Sequence, residues 1–88
     1  MSSSESLLQF PCDFPIKVVG RYHAGFEAEV VARVRNYAPD LDENAVRSRA
    51  SQEDKYLAVT VTIRATSQEQ LDAIYRELSG WDRALMVL

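Results

Sequence analysis

Alternating apolar and polar residues predict the strands of this chain. In KYLAVTVTIRA, residues 55–65, every second residue is apolar, which is typical of a strand with one buried face. IKVVGRY, residues 16–22, is rich in β-branched residues and predicts another strand, with a bulge at Gly20. A weaker strand is expected over residues 45–51, and a short final strand over ALMVL, residues 84–88.

Two further segments have helical rather than alternating spacing. The first covers residues 26–38 and ends before Pro39, which cannot continue a helix. The second follows Thr66 and Ser67, both favourable N-cap residues, and ends near Gly80. The apolar stripes consist of Phe26, Val30, Val34 and Tyr37 in the first helix, and of Leu71, Ile74, Tyr75 and Leu78 in the second.

The resulting order, βαββαβ, predicts an α+β fold of the ferredoxin-like type. Two right-handed crossovers place both helices on one face of a four-stranded antiparallel sheet of order 4-1-3-2. A chain of 88 residues has room for one domain, which we place at residues 8–88. The serine-rich residues 1–7 are expected to form a flexible tail.

Composition narrows the classes of function. The chain has 13 acidic and 10 basic residues and a formal net charge of −3, which disfavours a general nucleic-acid binder. It contains no apolar run of membrane-spanning length and no secretory signal, and its single cysteine cannot form an internal disulfide. We therefore expect a cytoplasmic protein that does not bind membranes.

The basic residues are nevertheless concentrated on the predicted strands. Residues 16–22, 45–51 and 55–65 contain no acid. If Ile16, Val18 and Tyr22 face the helices, the cations of these strands point to the uncovered face of the sheet. The residues predicted to bind a partner or an anion there are Lys17, Arg21, Arg47, Arg49, Thr60, Thr62 and Arg64.

Three interpretations of this face remain open at this stage. An uncovered antiparallel face must be polar, and long basic side chains cover it well without any further role. Alternatively, the face attracts an acidic protein partner or a small anionic ligand. The third interpretation is self-association of two copies, either face to face or as a homodimer through an edge strand, and the apolar ALMVL segment is the strongest edge candidate.

Other chemistries find little support in the sequence. Cys12 and His23 lie on either side of the first strand, about 20 Å or more apart if it is extended, which is too far for a nucleophile and its base. The glycine spacing matches no phosphate-binding loop. Tyr56 is the one aromatic residue of strand three that points to the open face, whereas RNA-recognition modules stack bases on several. We expect no catalytic residues, metal, cofactor or nucleic-acid partner.

Three segments carry a resemblance to a known family. LQFPCDFPIKVVG (8–20), YLAVTVTIRATSQEQLDAIYREL (56–78) and the ending MVL (86–88) closely resemble the YbeD-like family of small bacterial proteins. The resemblance implies a ferredoxin-like fold similar to ACT regulatory domains, with no established enzymatic activity. It also implies a secondary candidate, a ligand loop containing Gly20, His23 and Gly25. We therefore expect a non-enzymatic regulatory or interaction domain, or alternatively a dimeric ACT-like sensor of small molecules.

Overall fold

A computed structural model describes residues 8–88 of the chain. The predicted flexible tail, residues 1–7, lies outside the described residues. Short 3-10 turns at Glu43–Ala45 and Gln52–Asp54 precede and follow the second strand. The main elements in chain order are β1 (Cys12–Arg21), α1 (Phe26–Arg35), β2 (Val46–Ala50), β3 (Tyr56–Ala65), α2 (Gln68–Ser79) and β4 (Ala84–Val87).

The four strands form one antiparallel sheet in the order β2-β3-β1-β4, which confirms the predicted topology. β1 and β3 lie at the centre and pair along ten residues each. Both helices pack on one face of this sheet, because the buried residues of β1 and β3 share that face with the apolar stripes of α1 and α2. The other face is left without a covering layer by the described residues.

β1 begins at Cys12, four residues before the position expected from the sequence. Pro15 lies inside the strand, opposite Thr62 of β3. This is tolerated because β4 hydrogen-bonds to β1 only from Lys17 onward, so no β4 partner stands opposite the proline nitrogen. The longer strand brings Asp13 into the sheet, opposite Arg64, so the expectation that the strands contain no acid is wrong.

The core lies between the sheet and the two helices. The predicted inward row of β3, from Leu57 to Ala65, is buried as expected. Tyr22, however, is 48% exposed, because β1 ends at Arg21 and the last inward position of the strand is Gly20. The largest fully buried side chains are Phe26, Ile16, Ile63, Leu71, Ile74, Leu78, Val18, Val30, Val34, Val59 and Val61.

Gly20 allows β1 to approach its neighbours closely. A Cβ at this position would lie 2.5 Å from Phe26 Cζ and 2.6 Å from the Arg83 carbonyl oxygen. The pairing register between β1 and β4 also shifts between Val19 and Gly20, and the extra residue is Leu85 of β4. β1 itself pairs with β3 without interruption, so the bulge predicted in strand one lies on the neighbouring strand instead. The Phe26 ring fills the space above Gly20 and stacks on Trp81, with the ring centroids 5.5 Å apart.

Within residues 8–88, no helix combines the length and the apolar character needed to cross a membrane.

Candidate functional site

The strand register aligns the outward residues of the uncovered face in rows that cross the sheet. Thr60 of β3 lies opposite Lys17 of β1 on one side and opposite Arg47 of β2 on the other. Adjacent strands are about 4.8 Å apart, so the Cα atoms of Lys17 and Arg47 are about 10 Å apart. In the next row Ala58 lies between Val19 and Arg49. The sequence prediction of a common face for these residues agrees with this register.

Four cations of this face have no acidic partner among residues 8–88. Lys17, Arg21, Arg47 and Arg49 are all exposed, and none of them belongs to the ion pairs of the described chain. Within residues 8–88 no ion pair therefore cancels their positive charge at short range. We call these four residues, together with Thr60 between them, the basic face.

Arg64 differs from these cations, although the sequence grouped it with them. Its Nη1 atom lies 3.3 Å from Oδ1 of Asp13, its register partner on β1. Both side chains are exposed, and exposed pairs of this kind contribute about 0–1 kcal/mol to stability. The pair nevertheless lowers the positive potential at this end of the sheet. Arg64 and the neighbouring Thr62, opposite Pro15, therefore lie at the margin of the basic face.

The basic face also has an apolar centre that the charge pattern of the sequence does not reveal. Val19 and Ala58 are half-buried register partners and form the floor of a shallow depression, with Tyr56 and Arg49 at its sides. Met86 of β4 lies opposite Val19 and is 52% exposed. The sequence does contain a signal for this apolar centre. Val19 and Ala58 are apolar residues at outward positions of their strands, where a purely solvated face would have polar residues.

The predicted ligand loop is held together by contacts of its own. The Gly25 backbone N–H donates to Nδ1 of His23, with a nitrogen–nitrogen distance of 3.3 Å. The His23 ring packs edge-on against Phe26, and its Nε2 atom lies 3.7 Å from Oε1 of Glu29. Gly25 forms the N-cap of α1, and Gly20 is packed beneath Phe26. All three predicted loop residues therefore support the junction between β1 and α1.

An open groove lies beside this loop. It is lined by Arg21, His23, Asp82, Arg83 and Leu85. Nε of Arg83 is 3.7 Å from the same Glu29 oxygen that His23 approaches, which places three ionisable side chains around one point. This groove opens beside Arg21 at one end of the basic face.

Cys12 and His23 are separated by the full length of β1, because Cys12 is its first residue and His23 follows its end. Ten extended residues span about 33 Å, so the two side chains do not meet. Among residues 8–88 no three His, Cys, Asp or Glu side chains converge as a group that could hold a metal ion.

The two edges of the sheet differ in character. β2 carries Arg47 and Arg49, whereas residues 84–88 have no charged side chain and expose Leu85, Met86 and Leu88. The end of β4 is fixed by a hydrogen bond of 3.2 Å from the Tyr75 hydroxyl to the Leu88 carbonyl oxygen. Desolvation by burial raises the pKa of the Tyr75 phenol above its usual value.

The chain is similar to proteins of known structure that share its fold. It matches the solution structure of protein HP0495 from H. pylori with a TM-score of 0.69 and 14% identity, covering 100% of this chain and 94% of that one. It also matches the ACT domain of a GTP pyrophosphokinase from Chlorobium tepidum with a TM-score of 0.65 and 17% identity, over 86% of this chain and 84% of that one. The predicted ACT-like, ferredoxin-like fold is thereby confirmed.

Sequence comparison identifies the family. The chain is 47% identical over 87 residues to a UPF0250 protein of Paraburkholderia phytofirmans, covering 99% of this chain and 98% of the relative. It is 43% identical over 86 residues to a UPF0250 protein of Nitrosomonas europaea, covering 98% and 99%. A family model described as "Protein of unknown function (DUF493)" matches residues 5–88. The chain therefore belongs to the DUF493 family of small bacterial proteins, the YbeD-like group that its motifs resemble.

Proposed function

We propose that this protein is a non-enzymatic regulatory or interaction domain that docks an acidic protein partner or a small anion on its basic face. The observation that carries the proposal is the set of four exposed cations, Lys17, Arg21, Arg47 and Arg49, without acidic partners in the described chain. These cations lie on one side of a sheet in a chain whose net charge is −3. Such a local excess attracts anions and orients their approach.

The register supports docking over simple solvation. Carboxylates that approach along the row through Thr60 meet Lys17 on one side and Arg47 on the other. Charge-assisted hydrogen bonds from these cations are stronger than neutral ones, and the Thr60 hydroxyl adds a neutral donor. The likeness to an ACT domain concerns the fold, and it supports a regulatory rather than a catalytic role for this chain.

The test uses polyglutamate as a model acidic partner and compares two charge reversals. Arg47→Glu reverses one cation of the basic face, whereas Arg76→Glu makes the same change of net charge on the exposed side of α2. An exposed ion pair of 0.2–1 kcal/mol corresponds to roughly 1.4- to 5-fold in affinity. We expect Arg47→Glu to weaken binding about threefold or more relative to Arg76→Glu, and added salt to weaken wild-type binding.

Equal binding by the two variants would show that the basic face is only a solvated surface. Thermal unfolding of both variants provides the folding control, because each substitution lies on an exposed position. In an NMR titration of the wild type with polyglutamate, the amide signals of β2 and β3 should shift at lower polyglutamate concentrations than those of the helices.

A second candidate, association of two copies through β4, is favoured by the uncharged edge at residues 84–88. Lys17 and Leu88 exchange both backbone hydrogen bonds, at 3.1 and 2.8 Å. Because hydrogen-bonded and non-hydrogen-bonded pairs alternate along an antiparallel ladder, the N–H and C=O of Val87 point away from β1. They are available to a strand of a second copy.

An antiparallel pair centred on Met86 would place Leu85 opposite Val87 of the second copy and would use the whole edge. Met86→Cys in a Cys12→Ala background tests this arrangement, since the two introduced thiols would come within disulfide range. Arg49→Cys on the β2 edge is the matched control. A dimer that cross-links through residue 86 and not through residue 49 supports the candidate; equal cross-linking of both variants, or of neither, excludes it.

A further inference from the structure

We infer that the partner of the basic face is an acidic protein segment that inserts a large apolar side chain at the centre of this face. In the partner segment, this apolar side chain lies between two acidic residues. The inference rests on the proposed function and specifies its partner. The observation behind it is the apolar strip formed by Ala58, Val19 and Met86, which lie side by side on β3, β1 and β4. Three adjacent strands place these side chains along a line of about 10 Å.

This strip has the composition of an interface rather than that of a solvated sheet. Met86 is 52% exposed and Tyr56, beside Ala58, is 40% exposed. Arg49 and Tyr56 form the sides of the depression whose floor is Val19 and Ala58. Apolar centres with polar rims mark binding sites, and tyrosine, methionine and arginine are enriched in such interfaces.

The positions of the cations set the spacing of the partner's acidic groups. Lys17 and Arg21 lie two residues before and after Val19 on β1, about 7 Å to either side. In a helix, residues four positions before and after an apolar anchor lie about 6 Å to either side and on the same face. A helix with glutamates at these two positions would bring its carboxylates to Lys17 and Arg21 while its central side chain covers Val19.

The same features make a nucleic acid a poorer fit. Single-stranded RNA is bound by aromatic side chains that stack its bases and by cations that follow its phosphates. Tyr56 is the single aromatic side chain among the outward residues of β1, β2 and β3. The centre of the face is aliphatic and offers the bases neither a stacking partner nor a hydrogen bond. An apolar side chain flanked by carboxylates uses both the strip and the cations.

The experiment uses two synthetic helical peptides and one isosteric substitution in the protein. One peptide carries leucine with glutamate four positions before and after it; the other carries glutamine in place of the leucine. Val19→Thr keeps the shape of the side chain and its preference for strands, and it removes the apolar surface. Ala58→Ser is a second variant for the same purpose, and preserved amide dispersion in NMR spectra shows that each variant is folded.

We expect the leucine peptide to bind the wild type about threefold or more tightly than the glutamine peptide, and Val19→Thr to abolish this difference. Arg47→Glu should weaken both peptides. If Arg47→Glu weakens binding while leucine and glutamine peptides bind equally, the inference is wrong and the proposed docking function stands. Absence of saturable shifts at Val19 and Ala58 with the leucine peptide also overturns the inference. If a single-stranded RNA oligonucleotide binds more tightly than the leucine peptide at physiological salt, the inference of a protein partner is wrong and the partner is a nucleic acid.

Discussion

Replacing Gly20 by alanine tests the close contact on which the joint between β1, α1 and β4 depends. The added Cβ would lie 2.5 Å from Phe26 Cζ, whereas ordinary contacts of a Cβ begin at 3.4 Å, so the overlap is about 0.9 Å. Phe26 is fully buried and stacked on Trp81, which blocks a simple rotation of the ring. The second contact, 2.6 Å to the Arg83 carbonyl oxygen, is with backbone and requires β4 to move.

The expected loss of stability follows from this overlap. Overpacking a well-filled core destabilises a protein by about 1–3 kcal/mol. For a domain of this size that corresponds to a decrease of about 4–24 °C in Tm. The measurement is thermal and urea unfolding followed by circular dichroism. Gly25→Ala is the matched control, because its Cβ would meet nothing closer than 3.8 Å and its φ of −96° suits any residue, so we expect a change within about 1 kcal/mol.

A double variant separates the ring contact from the backbone contact. Phe26→Leu removes the ring atoms that the new Cβ would meet, so Gly20→Ala should be less destabilising in that background, with a coupling of about 0.5–3 kcal/mol. A Gly20→Ala protein that melts within about 2 °C of the wild type would refute this reasoning. So would additive effects of the two substitutions, since the clash with Phe26 would then not be the cause.

Three further outcomes are expected. Burial raises the pKa of Tyr75 above 10.0, so the stability that the neutral phenol contributes is complete below pH 10 and is lost as the pH rises through the raised folded pKa. Tyr75→Phe should therefore reduce the loss of stability in this alkaline range. Urea unfolding at pH values below and above this range measures the difference. Asp13→Asn frees Arg64 from its ion pair, so it should change stability by less than about 1 kcal/mol and increase affinity for polyglutamate; an unchanged affinity would place Arg64 outside the docking surface. In a thermal-shift screen with amino acids and related metabolites, the docking proposal expects any increase in Tm to come from an anion and to be abolished by Arg47→Glu, whereas an increase that His23→Ala abolishes would support a small-molecule sensor.

The central elements of the fold were predictable from the sequence because their patterns are long and regular. β3 and α2 are ten and twelve residues long, and the predicted bounds of both elements lie within one residue of the observed ones. The predicted start of β1 differs from the observed one because prolines at 11 and 15 indicate an interrupted chain. The missing β4 partner opposite Pro15, which makes this proline acceptable, is a tertiary feature that local patterns do not contain.

The same limit applies to the candidate site. Parity places Lys17, Arg47 and Arg64 on one face, but only the register shows that Asp13 lies opposite Arg64 while Lys17 and Arg47 both lie opposite Thr60. Tyr22 was assigned inward by parity because the alternation was continued past the end of β1. Side-chain direction follows from alternation inside a strand, whereas charge pairing depends on which strands become neighbours.

A substitution at Thr60 can distinguish the contribution of this face to folding stability from its contribution to docking. Cross-strand pairs of opposite charge stabilise a sheet by about 0.2–1 kcal/mol each, and a glutamate at position 60 would have Lys17 and Arg47 as direct partners on its two sides. Glutamate has a lower strand preference than threonine, within a scale of about 1 kcal/mol, and this difference offsets the gain from the cross-strand pairs. A face that served only the stability of the sheet would therefore lose nothing by carrying an acid here.

We expect Thr60→Glu to leave the urea midpoint unchanged or to raise it. The same substitution should abolish binding of polyglutamate, because the new carboxylate pairs with the cations that would otherwise bind the partner. Thr62→Glu is the matched control, since its partner on β1 is Pro15 and the pairing with β2 ends at Val61. It adds the same charge without a direct cationic partner and should weaken binding less. If Thr60→Glu retains wild-type affinity, Lys17 and Arg47 do not bind the acidic partner, and the row of cations through Thr60 has no role in recognition.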